Sequence, residues 1–378
     1  MKSLDQIEAR TPISAVPYTI TSPGSYYLTG NLQVSLGTAI TIVANGVTLD
    51  LNGFTLSSSD HTNSGAGIQL GTSDRIQNVT ILNGFITGPI GYTGGFSNTG
   101  FGNGISYGAV VPNNVRVAGV SVSSCLSSGI YIGNGVVESC TVAKVGGYGI
   151  VATGVYRCQA LECGDIAIYA NTVSDCYAFC QGDGDGVNAD MVNNCYAVCA
   201  GGGNGITATS ATNCRGQSFG GDGVHASVVT GCYGFSTIGY GLFADTAGNS
   251  RGESVNAAGV RAGSASNCYG QSFVGAGLDA IVAACCYGHS TSINGSGLGL
   301  FADTAINCFG QSANGGGLQT VTAENCYGQG EGYGDGLNAH IAIGCWGFSS
   351  LGTGLDAYIA SACDASGVNT TYHYSMPP

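Results

Sequence analysis

Charge is the scarcest ingredient of this chain: only 8% of its 378 residues are charged, and lysine occurs twice, at Lys2 and Lys144. What charge there is runs acidic, to a formal net of −13. Nucleic acids and anionic membranes are held by clustered cations, so neither is an expected partner. An acidic polysaccharide is disfavoured as well, because uronate carboxylates are usually paired by Arg or Lys. No apolar run approaches the length of a membrane span, and no membrane insertion is expected. No long helix-patterned stretch interrupts the last two-thirds of the chain. Glycine, by contrast, is abundant at 66 residues without a collagen triplet, which fits turn-dense β structure.

A strict repeat fills that space. Cys140, Cys158, Cys176, Cys195, Cys214, Cys232, Ser250, Cys268, Cys286, Cys308, Cys326, Cys345 and Cys363 form one column, with steps of 18 or 19 residues and a single step of 22. A period of this size is the signature of a solenoid, whose coils bury their apolar faces only by stacking. Eight positions before the column stands an aliphatic residue, from Ile150, Ile168 and Val187 through Ile206, Val224, Leu242, Val260, Leu278, Leu300, Leu318 and Leu337 to Leu355. Six positions before it the residue is small, as at Ala226, Ala244, Ala262 and Ala280. Three positions before it stands Val or Ala, as at Val155, Val173, Ala247 and Ala265. Period two directs these side chains inward, so each coil reads as three short strands joined by turns.

Asn precedes the column residue at Asn194, Asn213, Asn249, Asn267, Asn307 and Asn325. It tolerates the left-handed backbone of a tight corner. The segment after the column strand is glycine-rich, as in Phe219-Gly220-Gly221-Asp222-Gly223. Seventeen cysteines would ordinarily suggest disulfides or metal. Stacked inward cysteines sit about 4.8 Å apart, a little wider than disulfide Cβ spacing, so most are expected to be reduced, buried and small. No CxxC-like zinc spacing occurs. No metal and no cofactor is expected.

The pattern Gly-aliphatic-x-small, then Val/Ala-x-Asn-Cys, then a variable glycine loop resembles the three-strand coil of the right-handed parallel β-helix superfamily, the fold of the pectate lyases. Ile40 to Ser57 (ITIVANGVTLDLNGFTLS) is similar to a first coil, and Ile13 to Leu28 (ISAVPYTITSPGSYYL) resembles secreted bacterial β-helix repeat proteins. The resemblance covers nearly the whole chain. It implies an all-β, single-stranded right-handed parallel β-helix of about 18 residues per coil, and an extracellular or cell-surface location, although Met1-Lys2-Ser3 opens no secretion signal. The expected organisation is a cap over residues 1–30, the β-helix over 31–363 and a terminal cap or tail over 364–378. This fold hosts lyases, hydrolases, epimerases and adhesins, so it names no activity.

Two outward stripes are candidates for function. The first follows the column: Tyr177, Tyr196, Arg215, Tyr233, Arg251, Tyr269, Tyr287, Phe309, Tyr327 and Trp346. Flat aromatic rows suit stacking on sugar rings or on another protein, so Tyr233, Tyr269, Tyr287, Phe309, Tyr327 and Trp346 are expected ligand contacts. The plainer reading is that like residues in register stabilise parallel strands. The second stripe lies outside the aliphatic strand, where the pectate-lyase resemblance implies a substrate groove. It carries Asp222, His225 and Asp245 as candidate catalytic groups, with Arg261 and Asp279 as candidate ligand contacts just beyond. Glycosidases need two carboxyls about 5–9.5 Å apart, a spacing reached one or two coils along this face. The plainer reading is that Asp beside Gly caps turns. The paired Asp, Gly-His-Gly and Arg-x-Lys segments of polygalacturonases are missing, and the base and calcium carboxylates of pectate lyases are not recognisable.

Gly182-Asp183-Gly184-Asp185-Gly186 is faintly similar to calcium β-roll repeats, but the next coil offers only Gly202 and Asn204. Ice binding is set aside because Thr-x-Thr occurs once on this stripe, at Thr207-Ala208-Thr209. The insertion from Gly88 to Gly104, with Tyr92, Phe96 and Phe101, is expected to wall one end of the groove or to cover an early coil. A smaller insertion spans His289 to Gly297. The function these features point to is a β-helix that binds an extended ligand, a neutral glycan or a protein surface, or that serves as an adhesive rod. The alternative is a polysaccharide hydrolase or lyase.

Overall fold

Runs of three to seven residues that alternate inward apolar with outward polar side chains have one stable outcome, a sheet closed by stacking. The computed structural model describes residues 10–60, 65–88, 100–293, 297–367 and 369–376. Among them there is no helix; the elements are strands, paired in parallel. The chain divides into two compact units, Met1–Met191 and Val192–Pro378.

In the first unit the aliphatic column runs Ile40↔Ile68↔Ile105↔Ile130↔Ile150↔Ile168 in direct register. In the second it runs Ile206↔Val224↔Leu242↔Val260↔Leu278↔Leu300↔Leu318↔Leu337↔Leu355. All of these side chains are buried. Each unit is thus a parallel β-helix with a one-residue-wide aliphatic core seam.

The corner before the column is left-handed in every regular coil. Asn213, Asn249, Asn267, Asn307 and Asn325 have φ between 50° and 53°. Ser139, Arg157, Asp175, Cys285 and Ala362 adopt the same conformation, at φ 51° to 56°, although their side chains do not advertise it. That corner points the column residue's N–H along the stack. In the first unit the Cys140 amide donates to Cys158 Sγ at 3.4 Å. In the second the Cys286 amide donates to Cys308 Sγ at 3.4 Å and the Cys308 amide to Cys326 Sγ at 3.5 Å. At the one hydroxyl in the column, the Cys232 amide donates to Ser250 Oγ at 3.1 Å.

Four positions after the column a second buried row closes the glycine turns. Ser236, Ser272 and Ser312 Oγ each donate to a carbonyl fifteen residues back, Gly221, Ala257 and Gly297, at 2.6 Å. Ser272 and Ser312 Oγ also accept the amides of Gly275 and Gly315, at 2.8 and 2.9 Å. These serines fix the turn that delivers the chain to the outward face carrying Asp222 and its neighbours.

Candidate functional site

Along Val224–Thr230 the side chains of Val224, Ala226 and Val229 are buried, while His225, Ser227 and Val228 face outward. Two successive outward residues mean that the strand turns a corner there. The same pattern recurs in each coil of the second unit, so the outer face carries two parallel rows. The inner row stacks His225↔Phe243↔Arg261↔Asp279↔Phe301. The flanking pairs Ala244↔Ala262 and Thr246↔Ser264 set Asp245 level with Gly263, and Ile281 and Asp303 continue that corner row.

Gly263 leaves a gap in the corner row, and an open notch of about 250 Å³ forms around it. Asp245, Asp279 and Asp303 line it with Arg261, between Phe243 at one end and Phe301 at the other. Ala244, Ala262 and Ala280 form its floor. A Cβ at Gly263 would lie 2.8 Å from the Asp245 carbonyl oxygen, so the backbone itself passes close at this point. Arg261 is held from two sides. Its Nη1 donates to Tyr240 Oη at 2.5 Å, and its Nε lies 3.8 Å from Asp279 Oδ2.

The three candidate catalytic residues are divided by this arrangement. Asp222 Oδ2 is 2.8 Å from His225 Nδ1, and Asp222 Oδ1 accepts the Tyr240 amide at 2.8 Å. Both carboxylate oxygens are therefore engaged within the turn. Asn204 is placed alike: its Nδ2 donates to Thr207 Oγ1 at 3.0 Å and its Oδ1 accepts the Asp222 amide at 2.7 Å. Asp335 repeats the device, accepting from Asn338 Nδ2 and from the Thr353 amide, both at 3.3 Å. The Asp222–His225 pair has the geometry of a turn clamp, and the His225 ring stacks on Phe243 at 4.7 Å. Asp245 lines the notch with Arg261 and Asp279; Asp222 and His225 do not. Gly263 was missed by sequence reasoning, and its signal was the one missing side chain in a row of outward ones.

The aromatic row has a geometry of its own. Tyr287–Phe309, Phe309–Tyr327 and Tyr327–Trp346 stack with centroids 4.8, 4.7 and 4.5 Å apart and interplanar angles of 3°, 4° and 24°. Tyr269 meets Tyr287 edge-on, with centroids 5.1 Å apart at 75°. Arg215 sits over Tyr196 and Tyr233, 5.1 Å from each ring, and Arg251 over Tyr269 at 4.8 Å. Guanidinium groups cover Tyr233 and Tyr269 and the Phe309 ring covers Tyr287, and all three tyrosines are half-buried. Their hydroxyls are tied sideways: Tyr269 to Gln271 at 3.0 Å and Tyr287 to Gln311 at 2.6 Å. Burial is the main cause that raises the Tyr233, Tyr269, Tyr287 and Tyr327 hydroxyl pKa values. Trp346, with 41% exposure, is the most open ring of the row.

Tyr92 and Phe96 of the early insertion lie outside the described residues. Phe101 is fully buried, so it packs in the core and walls no groove. Part of the His289 to Gly297 insertion, residues 294–296, also lies outside the described residues. No cluster of three His, Cys, Asp or Glu side chains suited to a metal occurs among the described residues. No helix among them is long and apolar enough to cross a membrane.

No family model matches the chain, and no curated protein matches it. Among solved structures it is similar to the A-module of mannuronan C-5 epimerase AlgE6 from Azotobacter vinelandii. That match has 12% identity and a TM-score of 0.35, covering 94% of this chain and 91% of that one. It is also similar to a hyperthermoactive exopolygalacturonase from Thermotoga maritima, at 11% identity and a TM-score of 0.19, covering 95% of this chain and 84% of that one. At such scores neither likeness carries weight, and the strand registers alone establish what the chain is: a parallel β-helix.

Proposed function

We propose that this chain binds an extended neutral polysaccharide on the outer face of its second unit, at the notch around Gly263. The observation that carries the reading is the composition of that notch: Asp245, Asp279, Asp303 and Arg261 between Phe243 and Phe301. Carboxylates accept hydrogen bonds from sugar hydroxyls, the guanidinium donates to ring and hydroxyl oxygens, and aromatic rings cover the apolar faces of pyranoses. Three acids against one arginine repel uronates. A secreted or surface-displayed location accompanies this reading.

The test is isothermal titration with neutral oligosaccharides of several linkages and with an oligogalacturonate. Neutral chains should bind and the uronate should not. Replacing Asp279 and Asp303 together by Asn should weaken neutral binding tenfold or more with the melting temperature unchanged. Undiminished affinity in that variant would remove the notch from consideration. A second reading, hydrolysis, is favoured by one feature. Asp279 and Asp303 lie one coil and two residues apart, roughly 8 Å from strand spacings, which suits an inverting carboxyl pair. Release of new reducing ends during the same titrations would decide for it.

A further inference from the structure

We propose that Tyr107, Tyr131, Tyr148 and Tyr169 form a second binding site for neutral sugar rings, on the outward face of the first unit. The proposal extends the glycan-binding reading but stands on different residues. Registers place the cluster: Ser106, beside Tyr107, pairs with Tyr131, Tyr131 with Val151, and Val151 with Tyr169. Val151, between Tyr131 and Tyr169 in that row, is buried. The rings of Tyr107 and Tyr131 are 5.4 Å apart at 36°, and those of Tyr131 and Tyr148 are 6.2 Å apart at 55°.

These tilts distinguish the cluster from the ring pile of the second unit. There, parallel rings at 4.5–4.8 Å cover one another's faces. Here the rings splay, so each face is only partly covered, and Tyr169 is 48% exposed. Splayed aromatic faces tipped with hydroxyls match a pyranose, which offers an apolar face of C–H groups and an equatorial rim of hydroxyls.

The charge beside the cluster favours a neutral ligand over an anionic one. The Tyr148 hydroxyl pKa is raised first by the charge of Asp165, then by burial and by Tyr131 and Tyr169. The Tyr107 hydroxyl is raised by burial and by its hydrogen bond with Tyr131. The charged group that acts on these phenols is Asp165. Arg116 and Arg157 are both engaged with Glu138 instead. A uronate here would face the Asp165 carboxylate, whereas a neutral sugar hydroxyl can donate to it.

The experiment is titration of the full chain in which Asp279 and Asp303 are both Asn, so that notch binding is removed. The probes are neutral hexasaccharides of β-1,4-glucose, β-1,4-xylose and β-1,4-mannose, with hexagalacturonate as the anionic control. Saturable binding of at least one neutral probe should persist in this background. Adding Tyr131→Ala or Tyr169→Ala should weaken it by roughly threefold to tenfold each, the effect of losing one aromatic contact. Tyr169→Phe, which keeps the ring, should lose less than Tyr169→Ala. Binding by the unmodified chain but none by the Asn double variant overturns this site and leaves the notch standing. Affinity unchanged by both Tyr→Ala substitutions, with melting temperature retained, overturns it too. Equal binding of the uronate does the same, and no binding by the unmodified chain sinks both sites.

Discussion

At Cys308 one side chain satisfies several demands at once. It is 2% exposed, accepts the Cys286 amide at 3.4 Å, and donates to the Ile306 carbonyl at 3.2 Å. The position needs a small group that both accepts and donates. Cysteine and serine meet that description, and Ser250 fills the equivalent place, donating to the Gly248 carbonyl at 2.7 Å. Cys308→Ser keeps both hydrogen bonds and should therefore destabilise less than Cys308→Val. Cys308→Val fills the volume but leaves the Cys286 amide buried without an acceptor, which costs about 1–3 kcal/mol. Urea unfolding of the two variants separates the outcomes. Periodicity found this column but assigned its thiols a merely hydrophobic role. The acceptor role depends on the left-handed corner just before it, and that corner is occupied by Cys285, Ser139 or Ala362 as readily as by Asn.

At the scale of the strand, the sequence reported sides better than it reported tilts. Period two placed the aliphatic column inward and Tyr287, Phe309 and Tyr327 outward, as the registers show. It could not say how those rings would lie. A six-membered ring lying flat is wider than one coil repeat of about 4.8 Å, so rings in successive coils tip on edge; Tyr287, Phe309 and Tyr327 then stack, while Tyr269 meets Tyr287 edge-on. Phe309, stacked on both sides, should be the most sensitive. Phe309→Ser should cost about 1–3 kcal/mol from two lost ring contacts and leave glycan affinity unaltered, as read by thermal unfolding beside titration. Loss of affinity without loss of stability would return the row to the list of ligand contacts. The notch was only half legible for a related reason. Asp245, Arg261 and Asp279 stood out as charged residues, but the vacancy at Gly263 becomes meaningful only once the register sets it level with Asp245. For Phe101 the two readings stayed open because an insertion carries no period from which to infer which way its side chains point, and its burial favours the cover over the wall.

At the scale of the molecule, five of the seven arginines pair with acids: Arg10 with Asp50, Arg116 and Arg157 with Glu138, Arg251 with Glu253, and Arg261 with Asp279. With nine Lys and Arg against 22 acids, the net charge of the chain repels polyanions. The pile of rings has a consequence of a different kind. Trp346 is the chain's one tryptophan, and it ends a stack in which Tyr327 lies 4.5 Å away, followed by Phe309 and Tyr287. Light absorbed by those tyrosines should drain along the stack into the indole before it can be re-emitted. Excitation in the tyrosine band should feed Trp346 through Tyr327, and Tyr327→Phe should lower that sensitised emission in the folded protein, while the chain's other tyrosines, 20 in all with Tyr327 and Tyr287, keep emission of their own. The molecule thus carries a built-in optical gauge of its own coil-to-coil spacing, read with a fluorimeter and no added label.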